Sequence, residues 1–324
     1  METRHKRIEF IDLAKGVCII MVVMGHCGCP LEIPGWTIVR MPLYFILSGL
    51  FFKDYGGWTN FLIKKVNKIL IPFLFFYLLG YVAFYGIKWL APQYLITTAT
   101  GIWDIFTNRQ FFNGPIWFLI CLFWCNIIFC AISLYIRKDA FRIILVLLLG
   151  TLGWYLGNVV HVFVPLFLDV ALTALPFFAF GYYLKRTPIL YRNKYDKYNI
   201  LFAVALWGVS FLLETTTHYR LSLHYNGLEG WSTYIISIAS VMSILFFCKI
   251  IKRLPFVSYF GRYSIIPLCV HHLIYRPVDV ALSYFNISGG VFVATITVLL
   301  CWGCIPLCIR YIPWYTAQKD LIKA

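Results

Sequence analysis

Three ionisable residues, Asp12, Lys15 and His26, interrupt the first long apolar run of the chain, in the stretch Asp-Leu-Ala-Lys-Gly-Val-Cys-Ile-Ile-Met-Val-Val-Met-Gly-His. Such residues are costly in an apolar span, so their presence calls for a functional reason. An α-helix turns about 100° and rises about 1.5 Å per residue, which places all three within about 60° of one stripe. Lys15 then lies near one end and His26 about 16 Å further along, with Ile19, Val22 and Val23 between them. Imidazole titrates in the range a general base needs, which makes His26 the candidate for chemistry. Lys15 either pairs with Asp12 one turn away or extends its head to the lipid headgroups.

These residues must be positioned by membrane helices. The 324 residues are 61% hydrophobic, 19% aromatic and 13% charged, with a mean hydropathy of +0.79, far outside the range of soluble domains. An all-α integral membrane protein follows, with one membrane-embedded domain over residues 1–324 and no separate soluble domain expected. The apolar runs predict about ten spans. The first runs to about Gly28 and is expected to stay uncleaved, and the second, Ile38–Phe52, is short. Ile69–Trp89, Pro115–Ile136, Phe141–Gly157 and Pro165–Leu184 follow, then Asn199–Leu213, Trp231–Ile250, Phe256–Tyr284 and Gly290–Arg310. Pro176, Pro267 and Pro306 are expected to kink their spans.

Ten spans make the charge distribution a test. Of the 28 Lys and Arg residues, 22 fall on the amino-terminal side of the bundle and only Arg40, Lys88, Arg109, Arg220 and Arg276 on the other. The positive-inside rule then puts both termini in the cytoplasm and the chain in the cell membrane. The net charge of +15 is thereby explained without nucleic acid as a partner. The eleven cysteines lie mostly in apolar runs, where Cys acts as a small hydrophobe. His26-Cys27-Gly28-Cys29 matches no common zinc spacing, so no metal is expected.

Further motifs follow in order. Arg40-Met41-Pro42-Leu43-Tyr44-Phe45-Ile46-Leu47-Ser48-Gly49 forms the second span, and Lys64, Lys65 and Lys68 precede Pro72. Trp117-Phe118-Leu119 opens the fourth, Pro176 and Gly181 mark the sixth, and Gly261-x-x-Ser264 leads to His271-His272. Together with Asp12-x-x-Lys15-Gly16 and Gly25-His26, this order resembles the membrane acyltransferase-3 family, particularly its fucose 4-O-acetylase-like branch. The Lys15-x10-His26 spacing matches the family's basic-x10-His signature. Two departures stand out: Arg40 takes the place of the branch's usual His, and Lys residues that of its cytoplasmic Arg pair. Arg40 cannot serve as a base, and Lys holds phosphate without a bidentate fork.

The resemblance implies transfer of an acyl group, most often acetyl in this branch, from a cytoplasmic acyl-CoA to a hydroxyl of a cell-surface glycan or its lipid-linked precursor. Under it His26 either deprotonates the acceptor or carries the acyl group as a relay. Lys15 or the cluster Lys64, Lys65 and Lys68 meets the CoA phosphates. Arg40, Trp117 and one of His271 and His272, which point about 100° apart, are the candidate acceptor contacts. On physics alone Trp117 reads as an interfacial belt residue. Ser48-Gly49 reads as a close helix approach, and Asp169 and Glu214 read as solvated helix ends. The hairpin from Glu214 to Trp231, with His218, Tyr219, Arg220, His224 and Tyr225, offers rings to stack on sugar. The competing class is a transporter or exporter of a sugar or lipid-linked intermediate.

Overall fold

A chain this apolar must satisfy its backbone hydrogen bonds internally in lipid, and helices do so within each segment. The computed structural model describes residues 8–29, 32–95, 97–107, 109–191, 193–217, 221–286 and 290–323. Arg4, Lys6, Arg7 and Arg192 of the expected basic side, and His218, Tyr219 and Arg220 of the hairpin, lie outside them. The helices are α1 (Glu9–His26), α2 (Arg40–Leu50), α3 (Trp58–Lys65), α4 (Ile71–Leu90), α5 (Asp104–Thr107), α6 (Trp117–Tyr135) and α7 (Asp139–Asn158). Then come α8 (Leu168–Leu184), α9 (Asn199–Thr217), α10 (Trp231–Ile251), α11 (Pro255–Arg262), α12 (Ile265–Ser283) and α13 (Gly290–Tyr311). The chain is an all-α integral membrane protein.

Among the described residues, eight helical segments are long and apolar enough to cross a bilayer, and they correspond to the expected third to tenth spans. α1 carries Glu9, Asp12 and Lys15. The 11 residues of α2 reach about 16 Å, roughly half a bilayer's apolar thickness. Two expectations need revision. The run Phe256–Tyr284 is broken at Tyr263 and Ser264 into α11 and α12. Pro267 therefore sits in the first turn of α12, where its missing N–H costs no bond, and Pro277 is the proline inside that helix.

The long helices form an inner and an outer set. The apolar windows of α6 and α10 are 67% buried and that of the α8 segment 61%, whereas those of α7 and α9 are 17% buried and face outward. α1 packs against α2, α10, α11, α12 and α13, and α2 packs against α8. Glycines permit the tightest of these contacts. A Cβ on Gly49 would stand 1.8 Å from the Phe178 carbonyl oxygen, and one on Gly181 1.9 Å from that of Ile46, so α2 and α8 touch backbone to backbone. α1 is also tied to α2 by hydrogen bonds, Tyr44 Oη to the Lys15 carbonyl at 2.8 Å and Cys18 Sγ to the Arg40 carbonyl at 2.9 Å. α1 and α2 are thus held rigidly inside the ring of longer helices.

Candidate functional site

His26 is the last residue of α1, and its ring is exposed to a cavity while Cys27 and Cys29 beyond it turn into the core. The glycine before it has a steric role. The Arg40 guanidinium lies where a Cβ on Gly25 would be, 2.3 Å from Nη1, so only Gly lets Arg40 lie against α1 beside His26. Arg40 is fixed there by Glu32, 3.0 Å from Nη2, and by the Thr37 carbonyl, 3.1 Å from Nε. It lines the cavity at the start of α2.

Both His271 and His272 meet His26. Their ring centroids lie 5.2 and 5.9 Å from that of His26 and 6.3 Å from each other. Both rings thus stand beside His26, which side chains 100° apart on α12 can do when the third ring comes from another helix, but only His272 lines a cavity with it. His272 Nδ1 lies 3.1 Å from the Phe112 carbonyl, and its ring lines a cavity with Arg276. His271 is wholly buried. Asn113 donates to the Cys269 carbonyl at 2.9 Å, which ties the turn Gly114–Ile116 and hence Trp117 to α12.

Two cavities converge here, of ≈ 380 and ≈ 470 Å³. His26, Pro115, Trp117, His224 and Tyr225 line both. Trp117 is only 6% exposed, so it is a wall residue and not an interfacial belt residue. His224 stacks on it at 5.3 Å and 8° and hydrogen-bonds the Arg109 carbonyl. Burial pushes the His224 imidazole down to about 4.

The hairpin that brings His224 in is anchored from below. Asn226 adopts a left-handed conformation, φ 55°, in the turn closed by the Ser222–Gly227 bridge. Its Nδ2 donates to the Gly153 carbonyl at 2.9 Å and to Asp169 at 3.2 Å, and Asp169 also pairs with Arg109. Asp169 is 0% exposed, and Glu214 accepts from the Gly35 amide at 2.7 Å and from Thr37. Asp169 is therefore not a solvated helix end, while Glu214 is half-buried and hydrogen-bonded. The carboxylates were placed at span termini correctly, but the loops fold back over them. His224 and Tyr225 of the hairpin expected to stack on sugar do line the cavities, whereas Asn226 and Arg109 have no part in that expectation; the turn pair Asn226-Gly227 is the local sequence signal for the hairpin's shape.

The remaining candidates lie elsewhere. Lys15 Nζ stands 5.7 Å from the Phe51 ring at the far end of α2, and Asp12 borders a cleft with Arg253, Ser258 and Arg262. Lys64 and Lys68 each meet Asp320 at 2.8 Å, and Lys65 Nζ stands 5.3 Å from the Phe61 ring. Pro72 has no N–H to offer the Lys68 carbonyl, and the turn Val66–Leu70 widens to a π-helix closed by the Ile71 amide on Val66. A cavity of ≈ 490 Å³ near this end is lined by Lys53, Arg142 and Lys185, and it shares no residue with the two at His26. Ile19, Val22 and Val23 are buried between the two ends of α1.

Neither a curated protein nor a solved structure matches this chain. The profile of the acyltransferase-3 family, described as an acyltransferase domain, matches residues 8–306. That interval holds every candidate residue above except Asp320, and it runs from α1 into α13. The chain belongs to the membrane acyltransferase-3 family, and it is a multi-pass membrane acyltransferase.

Proposed function

We propose that this acyltransferase moves an acetyl group from acetyl-CoA to a hydroxyl of a cell-surface glycan or its lipid-linked precursor, as in the fucose 4-O-acetylase-like branch. The observation that supports it most is the wall shared by two cavities, where His26 stands with Trp117, His224 and Tyr225. Flat aromatic walls suit the apolar faces of a sugar, and an imidazole between them suits its hydroxyl. His26 takes the hydroxyl proton as the oxygen bonds to the acyl carbon, the C–S bond breaks, and the proton passes to the thiolate. In the relay variant His26 itself carries the acyl group between two such transfers.

The donor's phosphates are assigned to the basic end, where either Lys15 or the cluster Lys64, Lys65 and Lys68 supplies point charges. The excess of Lys and Arg on that side supports placing it, with both termini, in the cytoplasm of a cell-membrane protein. Arg40 and His272, each lining one cavity, are acceptor contacts. His26→Ala should lower surface-glycan acylation by at least about a hundredfold while the protein remains in the membrane. Undiminished product in that variant overturns the assignment, and sugar transport without CoA release in proteoliposomes replaces it with an exporter.

A further inference from the structure

His271 holds an unused acceptor beside the reacting imidazole. Its Nδ1 lies 2.7 Å from the Pro267 carbonyl oxygen one turn back on α12. A carbonyl only accepts, so Nδ1 carries the proton and Nε2 is left with a bare lone pair. That Nε2 is fully buried and has no hydrogen-bond partner among the described residues, although buried acceptors nearly always find one. The His26 ring stands opposite, 5.2 Å away between centroids and tilted by 45°. His272 is locked in the same tautomer by the Phe112 carbonyl, but its ring opens on a cavity that His271 does not border. Two adjacent histidines therefore present their free nitrogens to different things, one to a cavity and one to the protein interior.

We infer that His271 is the positioning residue for His26: its Nε2 accepts the N–H of His26 and leaves the other His26 nitrogen as the lone pair that faces the acceptor hydroxyl. The inference rests on the reading of His26 as the base. His271 is locked and buried, so a rotation of the cavity-exposed His26 ring closes the bond, as catalytic contacts often tighten only around substrate. The arrangement does what a carboxylate does for the histidine of a hydrolase triad, fixing its tautomer and orientation. A neutral imidazole does it without the cost of burying an anion among apolar helices. In the transfer His271 gains and loses no proton. The hydroxyl proton goes to the free nitrogen of His26 and then to the leaving thiolate.

Two substitutions separate this role from a structural one. His271→Asn keeps a donor for the Pro267 carbonyl and removes the acceptor at the Nε2 position, whereas His271→Gln places an amide oxygen there. We expect His271→Asn to lower kcat about a hundredfold with both KM values within about twofold of the parent. His271→Gln should recover at least about tenfold of that loss. His271→Met, apolar and of similar length, should lose as much as Asn, by a route that does not depend on how the Asn amide packs. A kcat for the Asn and Met variants within about threefold of the parent overturns the inference. So does an equal loss in Asn and Gln, or a rise in acceptor KM that accounts for the loss. Activity retained by His26→Ala defeats the base assignment itself, while an inactive His26→Ala beside an unimpaired His271→Asn defeats only this step.

Discussion

At one end of the bundle Asp320 meets Lys64 and Lys68, Asp196 meets Lys249 at 2.8 Å, and Asp139 meets Arg142 and Arg186, with most of these carboxylates and several of the bases open to solvent. At the other end Asp169 and Arg109 pair deep under the hairpin, at 0% and 14% side-chain exposure, and the cavity walls above them are imidazoles and aromatic rings. The first arrangement suits an end that exchanges charged ligands: exposed pairs are weak and reopen readily. The second suits an end that must hold neutral groups in fixed directions, since a buried pair opens only at high cost. The charge-rich end is thus the softer one, and the charge-poor end is rigid where His26 needs it to be.

The sharpest way to break this contrast is to remove one carboxylate from each end. Asp169→Ala leaves the Arg109 guanidinium buried without its partner and takes a bond from Asn226. It should cost about 3–5 kcal/mol, read as a lowered thermal midpoint in detergent, with loss of activity as the hairpin loosens. Asp139→Ala, at 45% exposure, should leave the thermal midpoint nearly unchanged. Equal costs at the two ends would remove the distinction.

The same contrast marks what could be read from sequence. The apolar runs and the family resemblance were legible, because they depend on composition and on order along the chain. Helix length was legible too, apart from the break at Tyr263 and Ser264, where the short interruption Gly261-Arg262-Tyr263-Ser264 is too brief to tell a corner from a continuous span. The burial of Asp169 and Trp117 and the hydrogen bonds that half-bury Glu214 were not legible. Each sits at a span end, and only loops folding back over those ends, through Asn226 and Thr37, enclose them. Likewise no helical wheel of α12 could show that His271 and His272 both stand beside a ring supplied by α1.

A second test lies in acid. His224 is half-buried against Trp117, and its folded-state pKa is pushed down from 6.5 to about 4, by desolvation first, opposed by its hydrogen bond to the Arg109 carbonyl and aided by the charge of Arg109. The unfolded chain binds this proton below about pH 6.5 and the folded one only near pH 4, so the folded state is increasingly disfavoured as pH falls between the two. Thermal midpoints at pH 7 and pH 5 should therefore drop further in the parent than in His224→Phe, which keeps the stacked ring and titrates nothing. Equal drops would show that the hairpin opens to solvent and that the cavity end is less rigid than its ion pair implies.

The smallest effect on stability, and the most informative for the basic end, belongs to Asp320. Hydrogen bonds from Lys64 and Lys68 hold its carboxyl below the usual 3.8, so the lock is charged at every pH above that value and is lost only as pH falls through its lower folded pKa. The tail is fastened beside it, the Asn67 carboxamide oxygen accepting from the Leu321 and Ile322 amides at 2.7 and 2.8 Å. At neutral pH a CoA phosphate aimed at Lys64 and Lys68 must therefore displace a carboxylate of this same chain. Asp320→Asn should change stability by less than about 1 kcal/mol, because the pairs are exposed. The KM for acyl-CoA should fall severalfold as an internal competitor is removed. An unchanged donor KM would move the phosphate contact away from this cluster, toward Lys53, Arg142 and Lys185 at the neighbouring cavity, and a raised one would make Asp320 an organiser of the lysines and not their competitor.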